Sequence, residues 1–321
     1  MIETHELTKR FGELVAVNRI NLKIEEGEIF GLLGPNGAGK TTTLSMLATL
    51  LPPTEGSAEV NRFDVVRQSS QVRHSIGFVF QDPSSDDLLT GKENLYLHAL
   101  MYGVEMKNIE RKIAEVLKLV DLTDRQNERM KNYSGGMRRR LELARGLLHE
   151  PKILFLDEPT LGLDPQTRVH LWGYIKKLSK EKKVTVIITT HYMEEADELC
   201  DRVAIIDHGK IVAMDTPMNL KRNLGGDVVR IKVKKPNMAA VKKLKYVKHA
   251  KREGDSVILT VNDAGSHLQE ILGKLGKIES VESRSPTLND VFMHYTGSGI
   301  RDADAEGGYF ERIIHSQANN R

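Results

Sequence analysis

The segment from Gly34 to Thr41, GPNGAGKT, constrains the fold of this chain more than any other feature of its sequence. It matches the pattern G-x-x-x-x-G-K-[ST] and lies between the apolar run EIFGLL and the helical run TTTLSMLATLL. Glycines let successive backbone N–H groups curl around a phosphate, and the following helix N-terminus adds partial positive charge. A plain glycine-rich turn is the alternative, but the flanking strand and helix argue against it. The segment therefore predicts a phosphate-binding loop.

The loop pattern assigns a role to each polar residue that follows it. Lys40 is predicted to bridge the β- and γ-phosphates of a nucleotide, and the Thr41 hydroxyl to bind Mg²⁺. Thr42 is placed to reach an α-phosphate oxygen. The other predicted nucleotide contacts within the loop are Gly34, Asn36, Gly37, Ala38 and Gly39.

Two adjacent carboxylates, Asp157 and Glu158, end the apolar run ILFL at residues 153–156. A buried strand delivers its last residue to the carboxyl edge of a sheet, where ligands bind in open α/β folds. We expect Asp157 to hold Mg²⁺ and Glu158 to accept a proton from the attacking water. An acidic strand-to-loop junction is the simpler alternative, but the phosphate loop in the same chain favours the catalytic interpretation.

A second glycine-containing segment, YSGGM at residues 133–137, precedes a helical run. Met137, Leu141, Ala144 and Leu148 recur at helical spacing, so the helix is predicted to bury one stripe. Ser134 can cap its start. The segment is either an N-cap and turn or a second anion site at a helix N-terminus. The spacing alone leaves both interpretations open.

The order of apolar runs predicts an α/β fold with a mainly parallel sheet. Four runs lack alternation, as strands buried on both faces should: residues 28–33, 75–80, 153–156 and 184–190. Residues 202–214 contain two apolar runs around His208-Gly209, which indicates a hairpin that closes this domain. We place the first domain at residues 1–222, with a helical subdomain at about 83–150.

The character of the chain changes after Asn219, and Leu224-Gly225-Gly226 is typical of a linker. The runs that follow have the order βαββαβ with an added helix, which predicts a small α+β, ferredoxin-like domain at residues 227–296. Residues 297–321 contain few apolar side chains and are predicted to be a flexible tail.

Composition limits the classes of function. Lys plus Arg number 47 against 44 Asp plus Glu, a formal charge of +3, which is too balanced for a protein that coats nucleic acid. No apolar run reaches the 18 residues of a membrane span, and the first residues lack a signal peptide, so we expect a cytoplasmic chain. The single cysteine, Cys200, cannot form an internal disulfide and is interpreted as packing.

Five motifs in a fixed order closely resemble the nucleotide-binding subunit of ABC transporters. They are GPNGAGKT, the glutamine in FVFQD, YSGGM before the apolar strand that ends in Asp-Glu, LGLDP after it, and TTHYMEEA. The resemblance covers roughly the first two-thirds of the chain. It implies a P-loop NTPase cassette that hydrolyses Mg-ATP, with ATP and Mg²⁺ as ligand and cofactor. It also implies a head-to-tail dimer and a separate transmembrane permease subunit, which would hold the chain at the cytoplasmic face of the membrane.

The resemblance also implies roles for single residues. Ser134, Gly135 and Gly136 of one subunit close over the ATP that Lys40 of the other subunit holds. Further residues take their roles from the family motifs: Gln81 joins Mg²⁺ and water to the permease, Asp164 crosses the dimer interface, His191 contacts the γ-phosphate, and Phe11, with Val17 nearby, stacks on adenine. Tyr133 and Leu161 depart from the residues common in the family.

The C-terminal part resembles drug exporters of the daunorubicin-resistance type, through TGKENL, SGGMRRRLELA and SPTLNDVFMHYTG. Two alternatives remain open from the sequence: a soluble ABC ATPase that acts on ribosomes or nucleic acid, and the ATPase subunit of an importer. One cassette and one cysteine in the chain argue against the first. The segment from Asp82 to Tyr102 is the predicted permease contact.

Overall fold

The structure is a computed structural model that describes residues 1–233, 236–276 and 278–296. In these ranges the strands are β1 (Ile2–Phe11), β2 (Leu14–Ile24), β3 (Ile29–Leu33), β4 (Glu55–Val60), β5 (Phe63–Asp64), β6 (Ile76–Val79), β7 (Ile153–Asp157), β8 (Thr185–Thr190), β9 (Arg202–Asp207), β10 (Lys210–Asp215), β11 (Asp227–Lys232), β12 (Val247–Glu253), β13 (Ser256–Val261) and β14 (Ser280–Arg284).

The helices in the same ranges are α1 (Lys40–Leu47), α2 (Ser69–Ser75), α3 (Gly91–Met101), α4 (Met106–Leu119), α5 (Gly135–Leu147), α6 (Pro165–Lys182), α7 (Met193–Leu199), α8 (Pro217–Asn223), α9 (Met238–Lys242), α10 (Ala264–Leu275) and α11 (Leu288–Thr296). None of these helices has the length and apolarity needed to cross a membrane.

A six-stranded sheet with the order β10-β9-β3-β8-β7-β6 forms the centre of the first domain. Its strands pair in parallel from β9 to β6, and β10 closes the edge as the antiparallel half of a hairpin. Every residue of β3, β7 and β8 is buried, which explains why these runs are apolar without alternation. The predicted parallel sheet is confirmed.

The residues after four neighbouring parallel strands meet at one edge of this sheet. The phosphate loop follows β3, His191 follows β8, Asp157 ends β7, and Gln81 lies two residues beyond β6. Because parallel strands present their carboxyl ends at the same edge, residues far apart in the sequence come together there. This edge holds the candidate site.

A second sheet, β2-β1-β4-β5, is antiparallel and was not predicted from the sequence. Its long strands alternate between buried and exposed residues, as strands with one covered face do. The buried side chains pack with α1 against one face of the central sheet. Two residues connect β1 to β2, so the sheet begins as a local hairpin.

The region predicted as a helical subdomain contains α3, α4 and α5, which pack against one another. Thr90 and Glu93 form a capping box at the start of α3, so TGKE in the sequence is a helix start signal. Tyr133 is buried, and its hydroxyl donates to the Arg125 carbonyl at 2.8 Å. The Tyr133 side chain, which departs from the residue common in the family, thus packs inside this subdomain. Ser134 still caps the start of α5.

The C-terminal region has the predicted βαββαβ order, and its antiparallel sheet has the order β12-β13-β11-β14. This strand order is that of a ferredoxin-like sheet. Helices α9 and α10 contribute to its separate apolar core. The tail predicted at 297–321 lies outside the described residues.

Helix α11 does not belong to this second core. It contacts α7, α8 and β10, and Leu288, Val291 and Phe292 are buried within the main core of the first domain. The last described helix therefore returns to the cassette and connects the C-terminal region to it.

Candidate functional site

The loop from Gly34 to Gly39 has the backbone shape that an anion requires. Gly37 and Gly39 adopt φ values of 80° and 103°, which side chains other than glycine rarely adopt. A Cβ at Gly34 would lie 2.4 Å from the Ile206 carbonyl oxygen, so the close packing of the loop on β9 also requires glycine. Asn36 and Gly37 are exposed at the tip, whereas Ala38 and Gly39 are buried.

Helix α1 begins at this loop with Gly39 as its N-cap, and no side chain of the described residues caps it. The first N–H groups of a helix lack partners within the helix, and an anion placed there satisfies them. Thr41 and Thr42 are half-buried in this first turn. A nucleotide phosphate thus fits the start of α1.

Lys40 is 4% exposed, and its Nζ donates to the Gly34 carbonyl at 2.9 Å and the Pro35 carbonyl at 3.2 Å. The same ammonium lies 3.3 Å from Oε1 of Glu158. Burial lowers the pKa of Lys40, and the charge of Glu158 opposes this shift. Lys40 of the phosphate loop and Glu158, the predicted base, are therefore in direct contact.

Asp157 ends β7 with its carboxylate buried between two hydroxyls. Thr41 Oγ1 donates to Asp157 Oδ1 at 3.1 Å, and Thr189 Oγ1 donates to the same oxygen at 2.5 Å. Burial raises the pKa of Asp157, although both hydrogen bonds act to lower it. The two residues predicted to bind Mg²⁺ from separate motifs, Thr41 and Asp157, are thus in direct contact.

Glu158 follows with a φ of 45°, a left-handed backbone conformation that is uncommon outside glycine. Its N–H donates to Thr189 Oγ1 at 3.0 Å, and its Oε2 lies 3.3 Å from Nδ1 of His191. Burial acts to raise the pKa of Glu158, but the His191 contact and the Lys40 charge outweigh it and the pKa is lowered. The carboxylate is therefore ionised at neutral pH. It lies between Lys40 of the phosphate loop and His191 after β8.

Gln81 is exposed just beyond the end of β6, the strand that pairs with β7. Its backbone carbonyl accepts a hydrogen bond from Arg139 at 3.4 Å. The structure places Gln81 at the same sheet edge as Asp157.

Ser134 and Asp164 are both exposed, and each caps a helix of its own. Ser134 Oγ accepts from the Met137 N–H at 3.2 Å at the start of α5, and Asp164 Oδ1 accepts from the Thr167 N–H at 3.0 Å at the start of α6. A Cβ at Gly136 would lie 2.6 Å from Thr167 Cγ2, so the two helix starts are adjacent. Gly135 has open space in the position of a Cβ.

Phe11 and Val17 have different surroundings. Phe11 is 37% exposed at the end of β1, with the Lys9 ammonium 5.3 Å from its ring centroid. Val17 is fully buried, and its Cγ2 lies 3.4 Å from the position of a Cβ on Gly39. Phe11 is therefore partly accessible at the end of β1, whereas Val17 supports the phosphate loop from the core.

Two residues of the site were not singled out in the sequence. Thr189 joins Asp157 to the Glu158 backbone, and Arg139 donates to the backbone carbonyls of Gln81 and Asp157. A polar residue near the end of the apolar strand in TTHY was a usable signal for Thr189. Arg139 gave no such signal, because it lies among three consecutive arginines.

Comparison with known proteins identifies both regions of the chain. The family described as "ABC transporter" matches residues 17–161, and the family described as "ATP-binding protein DrrA1-3-like, C-terminal domain" matches residues 216–296. The structure resembles a dimeric ATP-binding cassette in a post-hydrolysis state bound to ADP and Pi, with a TM-score of 0.61 and 30% identity. That match covers 67% of this chain and 98% of the other.

Full-length relatives extend the match to nearly the whole chain. The linearmycin resistance ATP-binding protein LnrL of Bacillus subtilis (strain 168) is 35% identical, over 94% of this chain and 100% of the relative. The daunorubicin resistance ATP-binding protein DrrA3 of Streptomyces coeruleorubidus is 38% identical, over 92% and 96%. The chain therefore belongs to the ATP-binding subunits of ABC transporters, ATPases that couple hydrolysis to transport, and within them to the proteins with a DrrA-like C-terminal domain.

Proposed function

We propose that this ATPase subunit binds Mg-ATP at the edge formed by β3, β8, β7 and β6 and hydrolyses it within a head-to-tail dimer. Hydrolysis drives export of a drug, lipid or other small molecule through a separate permease. The observation that carries the proposal is the contact of Glu158 with both Lys40 and His191, since it joins three motifs in one site.

The phosphate chain of ATP would fit the start of α1, where the first N–H groups have no side-chain cap and Lys40 lies close by. When Lys40 turns to the β- and γ-phosphates, Glu158 exchanges this partner for a water molecule. The ionised carboxylate can then accept a proton from that water as it attacks the γ-phosphate, and the bond to the β,γ-bridging oxygen breaks to release ADP. His191 is placed beside Glu158 to hold a γ-phosphate oxygen and keep the carboxylate oriented.

The hydroxyl and carboxylate oxygens of Thr41 and Asp157, with the side chain of Gln81, would hold Mg²⁺. Such oxygen ligands suit this hard cation, and the 3.1 Å contact between Thr41 and Asp157 already brings two of them together. Bound there, Mg²⁺ supplies charge neutralisation for the phosphates.

The exposed motif residues support a dimer. Ser134, Gly135 and Gly136 form an accessible helix N-terminus, and Asp164 lies on the adjacent exposed helix start. We propose that this surface closes over the ATP bound by a second copy of the chain. The similar structure in the post-hydrolysis state is described as dimeric, which supports a dimer of this chain.

The permease contact is proposed on the segment from Asp82 to Tyr102. Its exposed apolar side chains are Leu88, Leu97, Leu100, Met101 and Tyr102. Apolar surface of this kind marks protein contacts. The contact would hold the protein at the cytoplasmic face of the membrane. The balanced charge of the chain supports a protein partner rather than nucleic acid.

Export is favoured over the two alternatives by the names of the relatives. LnrL and DrrA3 are named for drug resistance, and a relative from Burkholderia lata, 35% identical over 94% of this chain, is named for Nod factor export. These names favour neither an importer nor a ribosome-bound ATPase.

Nucleotide binding and hydrolysis by the purified chain test the proposal. Lys40→Met removes the charged donor to the phosphates, so we expect Mg-ATP affinity to fall by about 10–10²-fold. Lys23→Met is the matched control, because Lys23 is exposed on β2. Equal affinity in both variants, or an unsubstituted protein that neither binds nor hydrolyses Mg-ATP, would contradict the proposed site.

A further inference from the structure

A single buried arginine connects helix α5 to two strands of the central sheet. Arg139 is 6% exposed. Its Nε donates to the Pro159 carbonyl at 2.6 Å and its Nη2 to the Asp157 carbonyl at 3.0 Å. Its Nη1 donates to the carbonyls of Phe80 and Gln81. One guanidinium thus spans the ends of β6 and β7.

The carbonyls that Arg139 binds belong to the two segments with the candidate chemical groups. Phe80 and Gln81 follow β6, and Asp157 and Pro159 flank Glu158. Burial lowers the pKa of Arg139 to about 10, so the side chain stays charged at neutral pH. The rigid, planar donor fork of arginine suits several fixed acceptors, which the single ammonium of lysine cannot reach together.

Other side chains of α5 hold the residues that follow Gln81. Glu142 is 4% exposed and accepts from the N–H of Ser84 at 3.3 Å and from the Ser85 hydroxyl. Arg145 donates to Ser84 Oγ at 2.9 Å. Helix α5 therefore contacts Gln81 through its first half and Ser84 and Ser85 through its second half.

Ser134 is the N-cap of the same helix, about 7.5 Å along its axis from Arg139 at 1.5 Å per residue. We propose that Arg139 is a positioning residue that holds Ser134 in register with Gln81 and Glu158, so that the helix start, the glutamine segment and the base move as one unit. This inference rests on the proposed function, because register matters only if Ser134 must meet a nucleotide held by the second subunit.

Arg140 provides a matched comparison within the same helix. Its Nη1 donates to the carbonyls of Val120 and Asp121 at 3.1 and 3.0 Å, both at the end of α4. Arg140 therefore holds the helical subdomain together internally, whereas Arg139 connects it to the sheet. Substitution of either residue should lower the stability of the fold. Only substitution of Arg139 should let Ser134 shift relative to Gln81 and Glu158.

The experiment compares Arg139→Lys and Arg139→Gln with Arg140→Gln in the full chain. We expect both Arg139 variants to bind Mg-ATP at about one site per chain, with KM within about threefold of the unsubstituted value. Their kcat per binding site should fall by about 10²-fold, the scale that a misplacement of about 1 Å produces. Arg140→Gln should keep the kcat per site of the unsubstituted protein. Relative to Arg139→Gln, Arg139→Lys should restore more of the melting temperature than of kcat.

A second measurement reports the position of the helical subdomain relative to the central sheet and does not depend on ATP hydrolysis. Spin labels at Lys107 on α4 and Lys23 on β2 report the distance between helical subdomain and cassette, and the buried Cys200 does not compete for label. The distance distribution should broaden in Arg139→Gln and stay narrow in Arg140→Gln. This measurement still applies to any variant that binds nucleotide poorly.

Three outcomes would overturn the inference: full recovery of kcat by Arg139→Lys, an equal loss of kcat per site in Arg140→Gln, or unchanged label distances in Arg139→Gln. Failure of the proposed function is separate, because it would show in the unsubstituted protein as absent Mg-ATP hydrolysis. The label distances would still report whether Arg139 connects the two parts of the chain.

Discussion

Glu158 lies 3.3 Å from the Lys40 ammonium through Oε1 and 3.3 Å from His191 Nδ1 through Oε2. The two contacts place one carboxylate between the residue predicted to bind phosphate and the residue predicted to contact the γ-phosphate. Because the carboxylate is 9% exposed, bulk water and salt screen these two contacts much less than they screen contacts between surface charges. The geometry makes Glu158 the group on which hydrolysis should depend most.

Glu158→Gln is expected to bind Mg-ATP and to lose turnover. The amide keeps the size and hydrogen-bonding capacity of the side chain but cannot accept the proton of the attacking water. Loss of a general base costs a factor of about 10²–10⁴ in kcat. Steady-state ATPase assays and equilibrium titration check this, with Glu194→Gln, an exposed position on α7, as the control. Near-normal hydrolysis would remove Glu158 from the role of base.

Asp157→Asn is expected to stabilise the protein while hydrolysis falls. Burial raises the pKa of Asp157, so the folded state disfavours its ionised form, and the charge costs folding free energy above the pKa of the unfolded carboxyl. An asparagine Oδ1 can still accept from Thr41 and Thr189. We expect a gain of about 0.5–2 kcal/mol in the free energy of unfolding at pH 7, the range that single stabilising substitutions commonly give. Urea titration at several pH values measures it.

The gain should vanish at low pH, where Asp157 is protonated in both states. Asp290→Asn provides a control of opposite sign. Burial acts to raise the pKa of Asp290, but the Arg284 contact and the hydrogen bonds from Thr287 together outweigh it and the pKa is lowered. Its charge stabilises the fold above the unfolded pKa, and this stability is lost as the pH falls through the folded pKa. A gain from Asp157→Asn that persists in acid would contradict the linkage argument.

Phe292→Ala is expected to destabilise the cassette although it lies far from it in the sequence. Phe292 is 1% exposed in the main core, and loss of such a side chain costs about 3–5 kcal/mol. Tyr295 on the same helix is 40% exposed, so Tyr295→Ala should stay within about 0.5 kcal/mol of the unsubstituted protein. Thermal unfolding of the two variants gives the comparison. Equal melting temperatures would mean that α11 does not stabilise the cassette.

Met101→Glu tests the proposed permease surface. Met101 is 75% exposed at the end of α3, so a charge there should leave the fold and basal ATPase activity unchanged. Burial of that charge in a contact should weaken association with the permease by at least about tenfold. Val66→Glu, at an exposed position outside α3, is the control, and co-purification with the permease is the measurement. Identical recovery for both variants would place the contact elsewhere.

Cys200 is expected to resist thiol reagents in the folded protein. Its side chain is 7% exposed, and burial raises its pKa well above the usual value, so little thiolate forms at neutral pH. Reaction with an aromatic disulfide reagent should proceed at the rate of unfolding and become fast in urea. Rapid labelling of the native protein would contradict the packing interpretation.

Short-range signals in the sequence carried much of the fold and the site. The strand, loop and helix around GPNGAGKT are local, and so are the buried run that ends in Asp157 and Glu158 and the hairpin at His208-Gly209. The order of elements along the C-terminal domain, βαββαβ, is local in the same sense. These features could be predicted because periodicity, turn residues and cap residues act within a few positions of the chain.

The sequence by itself determined which residue types stand at the end of each strand, and therefore the class of chemistry that this protein can perform. Only the tertiary structure decided their contacts: Glu158 with His191, Thr189 with Asp157, Arg139 with two strand ends, and α11 with the cassette core. The reason is physical. Sheet order and helix docking follow from how apolar faces of distant segments fit together, and that fit is set by the whole packed chain rather than by any local pattern.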